Sequence, residues 1–449
     1  MTDRTHPPTR RAPAPARGAL RTAVRRPLAA LITAAALLAA PVLPLSGAAA
    51  AAPASAAAAP PGDHRPGRPA WHGGWSASVQ PPGPGIIPNW SQQGFERRTL
   101  RQVVRVGAGG DAARIGLSHR YGTAPLAVAA ATVARSAGGA AVEAGSVRRL
   151  TFGGAESVTV PAGGEVVGDT VDLPVADLES LTVTLYLAEP TGPATYYQTA
   201  SATSYRAAGD HTGDVGGEAF TGTSRSWYFL AEVRVRCAAD CRDDGVVAFG
   251  DSITDGLGST VDADNRYPDE LAELFVREGR PRSVLNHGIS GNMITTGTPG
   301  TGESGVDRFA ADVLAEPAVG TVVVLEGIND IGLGRPGGQI PDVSVEQLIA
   351  AHRDVVGQAR AAGLTVVGAT LVPFEGAPYY TERGEAKRDA LNEWIRTSGT
   401  YDEVVDLDRV LADPADPDRL LPAYDSGDHL HPSDAGYRAM AEAARAATL

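Results

Sequence analysis

The sequence predicts two joined folds: a β-sandwich of jelly-roll type over residues 71–236, then an α/β domain over 244–449 with helices on both faces of a parallel sheet. Three observations carry this reading. From about residue 98 to 236 the apolar period is two, in short runs separated by Gly, Pro and Asp and with no helical pattern between them. After Cys241, strand-like and helix-like patterns alternate. The strand-like runs there are almost wholly apolar, as burial on both faces of a sheet requires.

In the first half, RQVVRV, ARIGLSHRYG, LAVAAATVA, RRLTFGG, ESVTVPAGGEVV, LTVTLYLAE, TYYQTASATSY and WYFLAEVRVR read as strands. In the second, GVVAFG is a strand, and YPDELAELFVREG a helix with Pro268 in its first turn. SVLNHG, TVVVLEG, LTVVGATLVPF and EVVDLD are further strands. VDRFAADVLAE and ERGEAKRDALNEWIRTS are helices between them. Ser344 with Gln347 three residues on forms a capping box opening SVEQLIAAHRDVVGQARAAG, which Gly363 closes. Ser433 caps the closing helix, SDAGYRAMAEAARAA.

Residues 1–60 read as an export signal followed by a processed Ala/Pro-rich segment. Seven Arg precede the apolar run LAALITAAALLAAPVLPL, and small residues follow it. That run holds Pro41 and Pro44 and no second apolar segment follows, so a secreted protein is expected rather than one with a stable membrane anchor. Arg25-Arg26 is compatible with a twin-arginine route. The whole chain carries −13; removing residues 1–60, with seven Arg against one Asp, leaves −19. So acidic a chain is unsuited to nucleic acid. Cys237 and Cys241 are too few for a structural zinc site, and in an exported chain they read as a local disulfide.

An open parallel sheet binds ligands at the carboxyl ends of its strands. The first such end delivers Asp251 and Ser252 from FGDSITDG, and the second NHGISGN with Gly291. The third delivers Asn329 and Asp330 from EGIND; before the last helix comes YDSGDHLHPSDAG, with Asp425, Asp428, His429 and His431. This set suits acyl transfer. Ser252 needs a base, which His431 can be, and the histidine needs an acceptor on its other nitrogen, which Asp428 can be. The Ser252 and Gly291 N–H groups and the Asn329 amide could hold an oxyanion. Plainer roles are open to each: Ser252 as a helix cap, Asn329 and Asp330 as an Asx-turn, His287 and His352 as core residues.

Taken together, GDSITDG, ISGN, GIND and DHLH resemble the four motif blocks of the SGNH, or GDSL-like, esterase and acylhydrolase superfamily, in its order. The resemblance covers about residues 244–449. It implies a three-layer α/β/α sandwich of flavodoxin-like type, Ser252, His431 and Asp428 as catalytic residues, and Gly291 and Asn329 beside Ser252 in the oxyanion hole. LSHRYGTAPL and RRLTFGG resemble the β-rich domain that precedes the hydrolase in some secreted members. The reaction implied is ester hydrolysis without a cofactor, on a small-molecule, carbohydrate or lipid ester; no long exposed apolar lid is visible in the sequence, which favours a short acyl or acetyl group. Arg335, Phe374, Tyr379 and Tyr380 are candidate substrate contacts, and the β domain could touch polysaccharide. Two alternatives stand beside this: a metallohydrolase using Asp425, Asp428, His429 and His431, with Asp251, and a polysaccharide-binding protein on an inactive scaffold. GxxxxGK[ST] and GxSxG are absent.

Overall fold

The computed structural model describes residues 71–237 and 244–448. The expected export segment lies outside them, as does Cys241 and with it the expected disulfide. Among the described residues there are two large hydrophobic cores and a small satellite at Ala140, Ala207 and Phe220. One is built from residues between Trp75 and Val235, the other from residues between Val246 and Ala444.

The second core surrounds a five-stranded parallel sheet: β1 (Gly245–Gly250), β2 (Val284–Gly288), β3 (Val319–Leu325), β4 (Thr365–Ala369) and β5 (Glu403–Val405). The order is β2-β1-β3-β4-β5, all parallel. The chain steps one way from β1 to β2 and the other way from β2 through β5. Right-handed crossovers therefore put α2 (Tyr267–Arg277) on one face, and α3 (Gly305–Phe309), α5 (Val345–Ala361) and α6 (Glu382–Thr397) on the other. The closing helix α8 (Asp434–Ala447) packs against α2 and completes the first face. The direction reverses between β1 and β3, and the ligand crevice of such a sheet opens beyond those two strand ends.

Most expected elements form, with instructive departures. The capping box of Ser344 and Gln347 is made in both directions. VDRFAADVLAE begins as α3 but continues as a π-turn over Ala310–Leu314. Asn329 and Asp330 do not form an Asx-turn; they lie in the first turn of a short helix, α4 (Ile328–Leu333). A further short helix, α7 (Leu407–Leu411), and a hairpin pairing Ala412–Asp413 with Asp416–Leu420 follow β5.

The first core lies within antiparallel sheets. One orders Trp71–Ser76, Leu230–Arg236, Ala112–Ser118 and Glu165–Val167; the other contains Arg98–Arg105 and Ser180–Leu187 at its centre. Trp71–Ser76 escapes the alternation rule because WHGGWS puts two glycines mid-strand. This strand runs beside β2, the edge of the parallel sheet, and covers that edge without joining its ladder. Ser283 donates to the Gly73 carbonyl, and the two ring nitrogens of buried His287 each lie 2.8 Å from a hydroxyl, Ser76 Oγ and Ser78 Oγ. His287 is thus a core residue that joins the two halves.

Gly288 closes β2 where α1 (Ser252–Asp255) crosses it: a Cβ there would stand 2.1 Å from the Asp255 nitrogen. Gly288→Ala is expected to destabilise the chain by about 1–3 kcal/mol through overpacking against backbone. Chemical denaturation would measure it, and a loss near zero would mean that α1 can shift freely.

Candidate active site

β1 ends at Gly250, and the chain turns at once into α1. Asp251 is its N-cap, accepting from the Ile253 N–H at 2.9 Å, so Ser252 is the first helical residue and not the cap. Its N–H therefore precedes the first intrahelical bond and has no acceptor within the helix. The Ser252 hydroxyl meets His431 Nε2 at 2.8 Å, and His431 Nδ1 meets Asp428 Oδ2 at 2.6 Å. Asp428 Oδ1 also accepts from the Leu430 and His431 N–H groups, at 3.0 and 2.8 Å. Partial burial pushes the Asp428 carboxyl up. The His431 ring and those two amides outweigh it and hold the group at about 2.

Gly291 sits at φ +81°, which the loop needs and a side chain would resist. Its N–H has no partner among the described residues. One amide proton of buried Asn329 goes to the Asn292 carbonyl at 2.9 Å, which leaves the second for a ligand. Asp330 ties the same loop down, accepting from Ile294 N at 2.9 Å and Thr295 N at 3.0 Å. The four segments named from the sequence thus form two hydrogen-bonded groups: Ser252 with His431 and Asp428, and the Gly291–Asn292 turn with Asn329.

That arrangement has the groups that acyl transfer needs. Residues 248–439 match the model of the GDSL-like Lipase/Acylhydrolase family. The chain carries a GDSL-like lipase/acylhydrolase domain. This domain makes it a hydrolase acting on ester bonds. Among solved structures, a lipase/acylhydrolase from Enterococcus faecalis is 20% identical, over 45% of this chain and 94% of its own, with a TM-score of 0.36. A GDSL-like lipase from Bacteroides thetaiotaomicron is 19% identical over 46% and 88%, with a TM-score of 0.35. An acetyl xylan esterase from Geobacillus stearothermophilus is 22% identical over 46% and 95%, with a TM-score of 0.36. No curated protein matches the chain.

Several groups in the GDSL-like domain give the sequence no signal. Arg308, buried, donates from Nε to Asn292 Oδ1 at 2.9 Å, and to the carbonyls of His287 and Gly250, each at 2.8 Å. Its Nη2 also reaches Glu326 Oε1 at 3.2 Å. Only the long-range packing of three strand ends reveals this. Tyr379, expected as a substrate contact, lies with its hydroxyl 3.4 Å from Asn329 Oδ1. Phe374 is fully buried, and Arg335 is turned onto the Gly332 and Gly334 carbonyls of its own loop.

The metal alternative loses its geometry. Asp425 pairs with His429 at 2.6 Å, while Asp428 pairs with His431, so the four side chains form two pairs and not one cage. Among the described residues, the ligand atoms close enough to share a cation belong to Glu385, Asp389 and Asp418, and the guanidinium of Arg388 already binds Glu385 there.

Burial pushes Asp251 up to about 7, with Asp330 adding to it against the Ile253 N–H, His431 and Arg308. Asp255, at the end of α1, accepts from Tyr197 and Ser290 hydroxyls at 2.5 Å and from Thr199. Burial pushes it up to about 6 against those three donors and Arg266. A carboxyl raised in the folded state contributes stability that is complete below its unfolded value of about 3.9 and is lost as pH rises toward 6. Asp255→Asn removes that loss. Its melting temperature, relative to the parent chain, is therefore expected to rise between about pH 4 and pH 7. An offset constant across that window in calorimetry would contradict this.

Proposed function

We propose that the protein is a secreted serine esterase that cleaves short-acyl esters through Ser252, His431 and Asp428, with an oxyanion hole of Ser252, Gly291 and Asn329. The observation that carries the reading is the unbroken chain Ser252 Oγ to His431 Nε2 to Asp428 Oδ2, at 2.8 and 2.6 Å. Its members come from opposite ends of the domain sequence, 179 residues apart for the first pair.

The steps follow from these atoms. His431 Nε2 takes the Ser252 proton as Oγ bonds to the ester carbonyl carbon. The carbonyl oxygen becomes an oxyanion among the Ser252 and Gly291 N–H groups and the free Asn329 proton. As the tetrahedral intermediate collapses, the carbon–alkoxy bond breaks and His431 hands its proton to the leaving alcohol. Water then attacks the acyl-enzyme by the same route and restores the Ser252 hydroxyl. Asp428, ionised throughout, keeps Nδ1 protonated and offsets the charge on the imidazolium.

Short acyl groups fit the surface. The large apolar side chains exposed among the described residues are Ile86, Val167, Val215 and Val410, from separate segments. That is not the contiguous apolar patch with which an enzyme meets a lipid interface. The Tyr379 hydroxyl, 3.4 Å from Asn329 Oδ1, narrows the space beside that amide.

Stopped-flow hydrolysis of nitrophenyl acetate is expected to give a burst of nitrophenol that Ser252→Ala abolishes with folding intact. Asn329→Ala is expected to lower turnover on the order of 10²–10³-fold. A burst that survives Ser252→Ala would remove the nucleophile, and an unchanged Asn329→Ala rate would remove the oxyanion donor. Across a nitrophenyl ester series, acetate and butyrate are expected to be the best substrates; a maximum at octanoate or longer would point to lipid instead.

A further inference from the structure

The β-sandwich and the GDSL-like domain enclose a cleft of 220 Å³ that the catalytic residues do not line. Arg105, Tyr205 and Trp227 form its wall on the sandwich side; Asp262, Asp264 and Arg266 form the opposite wall. Gly138 and Gly139 stand at its rim, where a Cβ would meet open space or only the Tyr205 hydroxyl, at 3.8 Å.

Three features of this cleft point to one ligand chemistry. Its lining carboxylates, Asp262 and Asp264, stand beside Arg105 and Arg266, whose guanidinium groups already bind Glu273 and Asp269, so the cleft disfavours an anion and offers hydrogen-bond acceptors. The Asp264 carboxylate makes no hydrogen bond among the described residues, with Arg105 Nε 3.9 Å away, and is open enough for a ligand donor to reach it. Finally, Tyr205 supplies a half-buried aromatic ring, an apolar face with a polar tip. A neutral ligand with several hydroxyls and an apolar face satisfies all three. The volume is below the roughly 300–1,000 Å³ that encloses a drug-sized molecule, which suits a single ring of a longer chain.

The backbone is held for this purpose at some cost. Asp262 and Asp264 both lie at positive φ, 61° and 51°, although neither is glycine. Thr203 pins Asp262 through its N–H and its hydroxyl, both at 2.6 Å, and the Asp262 N–H donates to Ser201 O. The segment that carries them starts at Gly256, the C-cap of the helix of Ser252. On the way it touches the His431 side of the site: Gly258 lies against Pro432 and Ser426, and Asp434 accepts from Thr260 N at 2.8 Å. One short segment therefore joins the cleft to the site of ester cleavage.

We propose that this cleft is a sugar subsite, in which a pyranose ring of an acylated polysaccharide stacks on Tyr205 and hydrogen-bonds to Asp264 while another unit of the same polysaccharide presents its ester to Ser252. It rests on the esterase reading and adds the alcohol half of the substrate, a neutral glycan.

The test uses the full chain with Ser252→Ala, which cannot turn over, and the unacylated β-1,4-linked hexasaccharides of xylose, glucose and mannose as calorimetric probes. At least one is expected to bind, and Tyr205→Ala or Asp264→Asn in that background to weaken it on the order of tenfold or more. Asp264→Asn keeps a residue that tolerates the left-handed backbone. With Ser252 restored, both variants are expected to hydrolyse nitrophenyl acetate at the parent rate and to show a raised KM only on acetylated polysaccharide. Should none of the three hexasaccharides bind, or should both variants bind as the parent does, the subsite is overturned. Loss of nitrophenyl acetate hydrolysis in the parent would strike the esterase reading alone, since the calorimetry needs no turnover.

Discussion

One guanidinium holds the business end of the parallel sheet together. Arg308 reaches the last carbonyl of β1, the β2 carbonyl at His287, and Glu326 just beyond β3, while its Nε takes the Asn292 side chain. It also lies over the Phe249 ring, 4.0 Å from the centroid. A planar group with five fixed donors suits this task, because diverging strand ends leave acceptors that no ladder satisfies. The charge has a second use. Asp251, Glu326 and Asp330 are buried nearby, and Arg308 is a cation that draws down the carboxyls of the first two. Without it, the loops bearing Ser252 and Gly291 would face uncompensated buried acids.

The β-sandwich reaches into the same region. Tyr197 donates to Asp255 and lies 3.0 Å from the Gly288 carbonyl, so it grips both the helix of Ser252 and the strand end before Gly291. Thr199 adds a second donor to Asp255 and meets the Ser290 hydroxyl at 2.9 Å. The helix that begins at Ser252 is one turn long and too short to be stable alone. Its position is therefore set by tertiary hydrogen bonds, and part of these come from outside the hydrolase core.

What the sequence revealed follows the range of the interactions. Elements governed by local rules were legible: the capping box at Ser344, Pro268 in the first turn of α2, the apolar strands β1 and β3. The candidate site residues Ser252, Gly291 and Asn329 follow strand ends that the apolar pattern marks, while Asp428 and His431 stand just before the closing helix. Trp71–Ser76 was not legible, since its two glycines break alternation and its place depends on β2, over 200 residues away. Arg308 sits mid-helix in VDRFAADVLAE and reads as an ordinary amphipathic charge. Its partners, like those of Asp255, are contributed by segments whose proximity only the folded topology creates. The Asp425–His431 run shows the converse: four residues of metal-ligand type close in sequence, divided by backbone geometry into two separate acid–histidine pairs.

The hydroxyl contacts to Asp255 bear on how such a chain can be inherited. A hydrolase core of this kind, moved by recombination onto a different neighbour, would leave an ionisable group in its interior stripped of two companions from the donor module. The two modules are thus not freely interchangeable cassettes. Tyr197, Thr199 and Asp255 form a set joined across the boundary, in which a change on one side leaves the other side's polar groups unmet.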